Sequence, residues 1–112
     1  MLVKNRQKAK AQPVQDVGAE KASLAVLIGP DEGAPNFIMR RIELEPGGCT
    51  PFHTHDWEHV VYILEGSGKL VGEKKRYRLK PHDSVFVAPG EKHQFRSDAD
   101  SPLVILCTIP KC

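Results

Sequence analysis

Aromatic residues are scarce in this 112-residue chain, at 6% of the total. Where basic residues cluster, no aromatic platform or recognition-helix pattern accompanies them, so no nucleic-acid partner is expected. Charge of one sign is hardly in excess, with 16 Lys and Arg against 14 Asp and Glu. The groups Lys4, Arg6, Lys8, Lys10 and Lys74, Lys75, Arg76, Arg78 therefore read as solvated surface. No uninterrupted apolar run approaches the roughly 20 residues of a membrane span, and residues 1–20 lack the apolar stretch of a leader peptide. A cytoplasmic protein without membrane attachment is the expectation. Three cysteines, Cys49, Cys107 and Cys112, form neither an even disulfide set nor a paired metal motif, which points to a reducing compartment. Also missing are a nucleophilic triad, a phosphate-binding glycine loop and an EF-hand, which makes covalent hydrolysis, nucleotide binding and calcium binding poor readings.

What is present suffices for one domain with a genuine core, at 40% hydrophobic and 27% charged residues. Residues 1–22 are mostly polar and read as an N-terminal arm, with the folded domain over 23–112. SLAVLIG (23–29), NFIMRRIELEPGG (36–48), FHTH, EHVVYILEG, SGKLVG, KKRYRLK, DSVFVAPG, KHQFRS and SPLVILCTIP are each strand length. Nearly every junction carries Gly, Pro, Asp or Ser. Helix is hard to place after residue 22. The fold class is all-β, and the strand pattern alone fits either a sandwich or an antiparallel barrel.

Histidine usage is the informative excess. His53, His55 and His59 fall in one short segment and His93 follows in a turn-like APGEKHQF, whereas His82 stands alone in KPHD. Residues 53, 55, 57 and 59 share a face if the segment is extended, and His93 supplies a ligand from a second strand. That convergence favours the barrel. Neutral imidazole suits Mn, Fe, Co, Ni, Cu and Zn, and four nitrogens leave two positions of an octahedron open.

The same residues resemble the cupin family over about residues 35–109. Gly47, His53, His55 and Gly66 match the spacing of its first motif, and Gly90 and His93 that of its second. His59 stands where the family places a glutamate, and His82, Ala88 and Ser97 replace a glycine, a proline and an asparagine of the second motif. The run HTHDWEH, His53–His59, resembles a small all-histidine, manganese-type subgroup. The resemblance implies a cupin double-stranded β-helix (jelly-roll) barrel holding one divalent transition metal per chain on His53, His55, His59 and His93. Mn(II) or Fe(II) is expected ahead of Zn, Ni, Co or Cu. It also implies a homodimer, with the arm of residues 1–22 packed against or exchanged with a second copy.

Around that centre, Arg40, Trp57, Phe95, Ile105 and Cys107 are expected to line the pocket. Arg40 shares a parity with Ile42 and Leu44, and an inward guanidinium suits a carboxylate. Trp57 lies between ligands as a lid, Phe95 shares the parity of His93, and Cys107 shares that of Ile105; Phe86 is expected to support the core between the sheets. The partner is a small molecule. A dioxygenase-like oxidation is the leading reading, beside a metal-dependent isomerase or lyase and a non-catalytic ligand-binding or regulatory module.

Overall fold

Period-two alternation makes strand of most of the chain beyond residue 19. The computed structural model describes residues 1–111, and Cys112 lies outside them. After a 3-10 turn at Arg6–Lys8, the strands are β1 (Gln12–Pro13), β2 (Glu20–Ile28), β3 (Phe37–Cys49), β4 (His59–Gly66), β5 (Gly68–Gly72), β6 (Arg76–Leu79), β7 (Ser84–Val87), β8 (His93–Ser97) and β9 (Leu103–Pro110). A second 3-10 turn at Pro30–Glu32 is the only helical element after residue 22 among the described residues. None of their helices is long and apolar enough to cross a membrane.

The strands follow the order β6-β5-β8-β3-β9-β4-β7, with β2 added beside β3. One long strand joins the two walls: Phe37–Leu44 of β3 pairs with β9, and Cys49 pairs with Arg96 of β8. The chain thereby curls into the jelly-roll barrel, and β6 and β7 end the path without pairing to each other, leaving a seam.

The corner in β3 needs close backbone approach. A Cβ at Gly48 would lie 2.9 Å from the carbonyl oxygens of Glu20 and Glu45, tighter than side chains tolerate. The buried Ser97 hydroxyl fixes this corner, accepting from the Gly48 N–H at 2.8 Å and donating to the Glu45 carbonyl at 2.6 Å. The serine that departs from the cupin motif thus does a definite job. A second departure, His82, takes φ 76°, the left-handed conformation that favours glycine; its backbone N–H donates to the Ile63 carbonyl at 2.9 Å and its Nδ1 pairs with the Tyr62 hydroxyl at 2.8 Å.

Strand register stacks the interior in layers. Ile42, Ile105 and Ile63 form one; Arg40, Cys107, Val61 and Val85 form the next; His59 opposite Val87 begins the third. Leu44, Ile63 and Leu103 are fully buried, each worth about 1.5–3 kcal/mol of apolar transfer.

Three sequence expectations shift. β2 begins at Glu20, inside the expected arm, because its first residues pair with β3, and Ala22 joins the core. The FHTH segment forms no strand, only an isolated bridge of His53 with His93. Phe86 is 61% exposed, since its neighbours Val85 and Val87 take the inward parity; it does not support the core.

Candidate metal centre

Backbone bonds dock the loop of residues 50–58 against β8 and the turn before it. Thr50 donates its N–H to the Phe95 carbonyl, and its hydroxyl accepts the Phe95 N–H, both at 2.9 Å. His53 and His93 exchange N–H to carbonyl bonds at 3.1 and 3.0 Å. The Gly90 N–H reaches the His55 carbonyl at 2.7 Å. These bonds, rather than the alternation of an extended strand, bring the histidines together.

One ring nitrogen from each of His53, His55 and His93 lies within 4.8 Å of the others. An imidazole nitrogen sits about 2.1 Å from a transition metal, so two ligands of one ion stand at most about 4.2 Å apart. The trio must draw in modestly to share one ion. The His53 and His55 Nε2 atoms already face each other at 3.1 Å. His93 directs Nδ1 to the Glu91 carbonyl at 2.8 Å; a carbonyl only accepts, so Nδ1 carries the proton and Nε2 keeps its lone pair for the cluster.

His59 stands at the start of β4, outside the tight trio, with its ring centroid 4.7 Å from that of His93 and 5.2 Å from that of His55. It is buried, and its Nδ1 has no hydrogen-bond partner. Such an orphaned nitrogen costs free energy unless something binds it. Burial lowers the His59 pKa to about 3, helped by the nearby His93 and Arg40. Burial also lowers His53 and His55, with the neighbouring histidines and Arg40 adding to it against Asp16. No carboxylate belongs to the cluster. The donor set is therefore neutral imidazole, and it fits a divalent transition ion.

The other expected pocket residues divide by layer. Trp57 stacks on His55, with centroids 4.4 Å apart and planes 12° from parallel; its Nε1 is buried without a partner. Arg40 and Cys107 face inward together, Nη2 donating to the thiol at 2.9 Å. Burial raises the Cys107 pKa, so the thiol is protonated. Phe95 is buried with its centroid 6.4 Å from that of His93. Ile105 sits deeper, in the closed core between Ile42 and Ile63.

Sequence reasoning missed the cleft. The seam between β6 and β7 opens a cavity of about 780 Å³ lined by Leu70, Tyr77, Leu79, Val85 and Val87, with Lys74 and Lys75 at its edge, and it reaches His93. None of the five expected pocket residues lines it. The basic run 74–78, which reads as plain surface, was its one signal. Glu91, which orients His93, was also missed, although its place two residues before the ligand was visible.

Comparison with known proteins agrees with this geometry. A model of the cupin domain matches residues 40–109. The chain is 33% identical to the polyketide cyclase RemF from Streptomyces resistomycificus, whose structure superposes with a TM-score of 0.93 over 98% of this chain and 79% of that one. It is 34% identical over 71 residues to 1-methylthio-D-xylulose 5-phosphate methylsulfurylase of Rhodospirillum rubrum, covering 63% of this chain and 46% of that protein. It is 27% identical over 86 residues to the tetracenomycin polyketide synthase protein TcmJ of Streptomyces glaucescens, covering 76% and 58%. The chain spans about half the length of these two curated relatives.

Proposed function

Since the chain belongs to the cupin family, we propose that it is a metal-dependent enzyme that enolises a small 1,3-dicarbonyl compound bearing a further carbonyl. The central carbon adds to that carbonyl and closes a ring, the carbonyl oxygen leaving as water with the two hydrogens of the central carbon. The observation that carries this reading is a cluster of neutral imidazoles with no carboxylate among them. His53, His55, His59 and His93 would hold a divalent ion without neutralising it, and such an ion would supply Lewis acidity toward carbonyl oxygens. Mn(II) or Fe(II) is the ion we assign. The protein's own groups bind and orient: Glu91 holds the His93 tautomer, Trp57 covers one face of His55, and the apolar walls of Leu70, Val85 and Val87 keep water from the enolate. The names of RemF and TcmJ support the substrate class, because polyketides are chains of alternating carbonyls.

A second reading, dioxygenase-like oxidation of the same kind of substrate, rests on the two octahedral positions that four nitrogens leave free. One experiment separates them. Metal-loaded protein is incubated with methyl acetoacetate in deuterated buffer while exchange at the central carbon and oxygen consumption are both followed. Exchange accelerated roughly 10²-fold or more, lost in His53→Ala, with no oxygen uptake, is the expected outcome. Substrate-dependent oxygen uptake would move the assignment to oxidation, and binding with neither signal would make the chain a ligand-binding module. The working unit we propose is a homodimer.

A further inference from the structure

Arg40 is a half-buried, inward-facing cation without a counter-ion. Among the described residues the ion pairs are Lys4 with Glu32, Arg41 with Glu43 and Glu65, and Arg78 with Asp98; Arg40 enters none. Its Nε is buried with no hydrogen-bond partner. Its Nη2 meets only the Cys107 thiol, at 2.9 Å, and sulfur is a weak acceptor. Asp16 and Asp56, the acids that act on the neighbouring His53 and His55, form no ion pair with Arg40 either. Asp83 accepts the Lys80 N–H at 3.0 Å, and Glu43, on the opposite parity of β3, pairs with Arg41. A buried Nε left without a partner on a cation is costly unless an anion joins it.

The register gives the spacing of its layer from that of His59. Arg40 lies in the layer of Cys107 and Val61, and His59 lies two residues before Val61 on the same strand face. Two strand residues span about 7 Å. We propose that Arg40 is the seat for an anionic group of the substrate, so that the chain selects dicarbonyl compounds that also carry a carboxylate, separated from the dicarbonyl by a short spacer. The carboxylate replaces the thiol as partner of the guanidinium and accepts from Nε as well as Nη2, the paired geometry that distinguishes Arg from Lys. Cys107 is a positioning residue, holding the guanidinium on the interior face of β3, in the layer next to that of His59. The inference rests on the dicarbonyl reading for the rest of the substrate, and on Arg40 alone for its charge.

The test compares 3,5-dioxohexanoate with its methyl ester, which share the diketone and differ in the charge. Binding to Mn(II)-loaded wild type, Arg40→Met and Arg40→Lys is measured by calorimetry. Arg40→Met is expected to weaken the acid at least about tenfold, as loss of a charge-assisted pair does, while leaving the ester unchanged; Arg40→Lys is expected to restore part of the loss. Melting temperature supplies a readout free of substrate. Removing an uncompensated charge should leave the Arg40→Met variant at least as stable as wild type, whereas a guanidinium serving only the fold would leave it less so. Equal effects on acid and ester, or none on either, would overturn the proposal. Should neither compound bind, the dicarbonyl reading fails, and propionate titrated into metal-free protein, followed by Trp57 fluorescence, then decides the anion seat. Saturation abolished in Arg40→Met upholds it, and absence of saturable binding overturns it.

Discussion

Neutral imidazole is the form that binds metal, and burial holds His59 in that form. In the unfolded chain a histidine takes up its proton near pH 6.5, while folded His59 resists until about 3. Between those values the unfolded state binds more protons, so the metal-free fold loses stability as pH falls, by about 1.4 kcal/mol per unit for one such group. The lowered His53 and His55 act in the same direction. Denaturant unfolding between about pH 7 and about pH 5 should show this loss, and His59→Leu should show a shallower one; equal slopes would remove burial of His59 as the cause. At neutral pH, His59→Ala should weaken metal binding by more than the roughly 10- to 100-fold typical of losing a group that only orients a ligand. Elemental analysis after dialysis checks that. These residues were legible because type and spacing carry a ligand set. The Glu91 carbonyl and the 12° stacking of Trp57 on His55 were not, since they depend on how the loop folds back.

Strands were easier to find than their connections. Alternation marked β3, and β9 was marked only by its length and apolar run since residues of both its parities are buried, whereas the 50–58 loop owes its shape to bonds with β8 and Gly90 that lie some 40 residues away in sequence. The gap between β6 and β7 was invisible for a related reason: an unpaired seam is a property of the sheet order, not of either strand. Ser97 shows how a single side chain governs an element junction. Ser97→Ala would strand the buried Gly48 N–H and free the Glu45 carbonyl, a change that costs about 1–3 kcal/mol. Because Thr50 follows two residues after Gly48 and anchors the metal loop to Phe95, metal affinity should fall with stability. Ser101→Ala, which removes an exposed bond to the Pro102 carbonyl, should change neither. Chemical denaturation and metal titration of the pair test this, and an Ser97→Ala variant as stable as wild type would show the corner to be held by the strands alone.

For the whole molecule, the outward wall of β3, β9, β4 and β7 is the unusual surface. Phe37 is 64% exposed, Val60 56% and Phe86 61%, and Val60 pairs directly with Phe86 across the strands. Met39, opposite Thr108, which in turn faces Val60, extends the same apolar row. A row of this kind along the middle of a sheet marks a contact surface. The arm is the other candidate for that role; β1 pairs with β2 and the Cys49 thiol donates to the Gly18 carbonyl at 3.4 Å. From the apolar row we expect the homodimer to form wall to wall, with each arm retained on its own barrel. Light scattering should give a dimer for the full chain and for a chain starting at Ala22, but a monomer for Val60→Lys combined with Phe86→Lys. A dimer lost on removal of residues 1–21 and kept in the double lysine variant would assign the contact to arm exchange instead. The lysines replace exposed side chains and touch no core layer, so a monomer that still binds metal would separate assembly from the fold of the site.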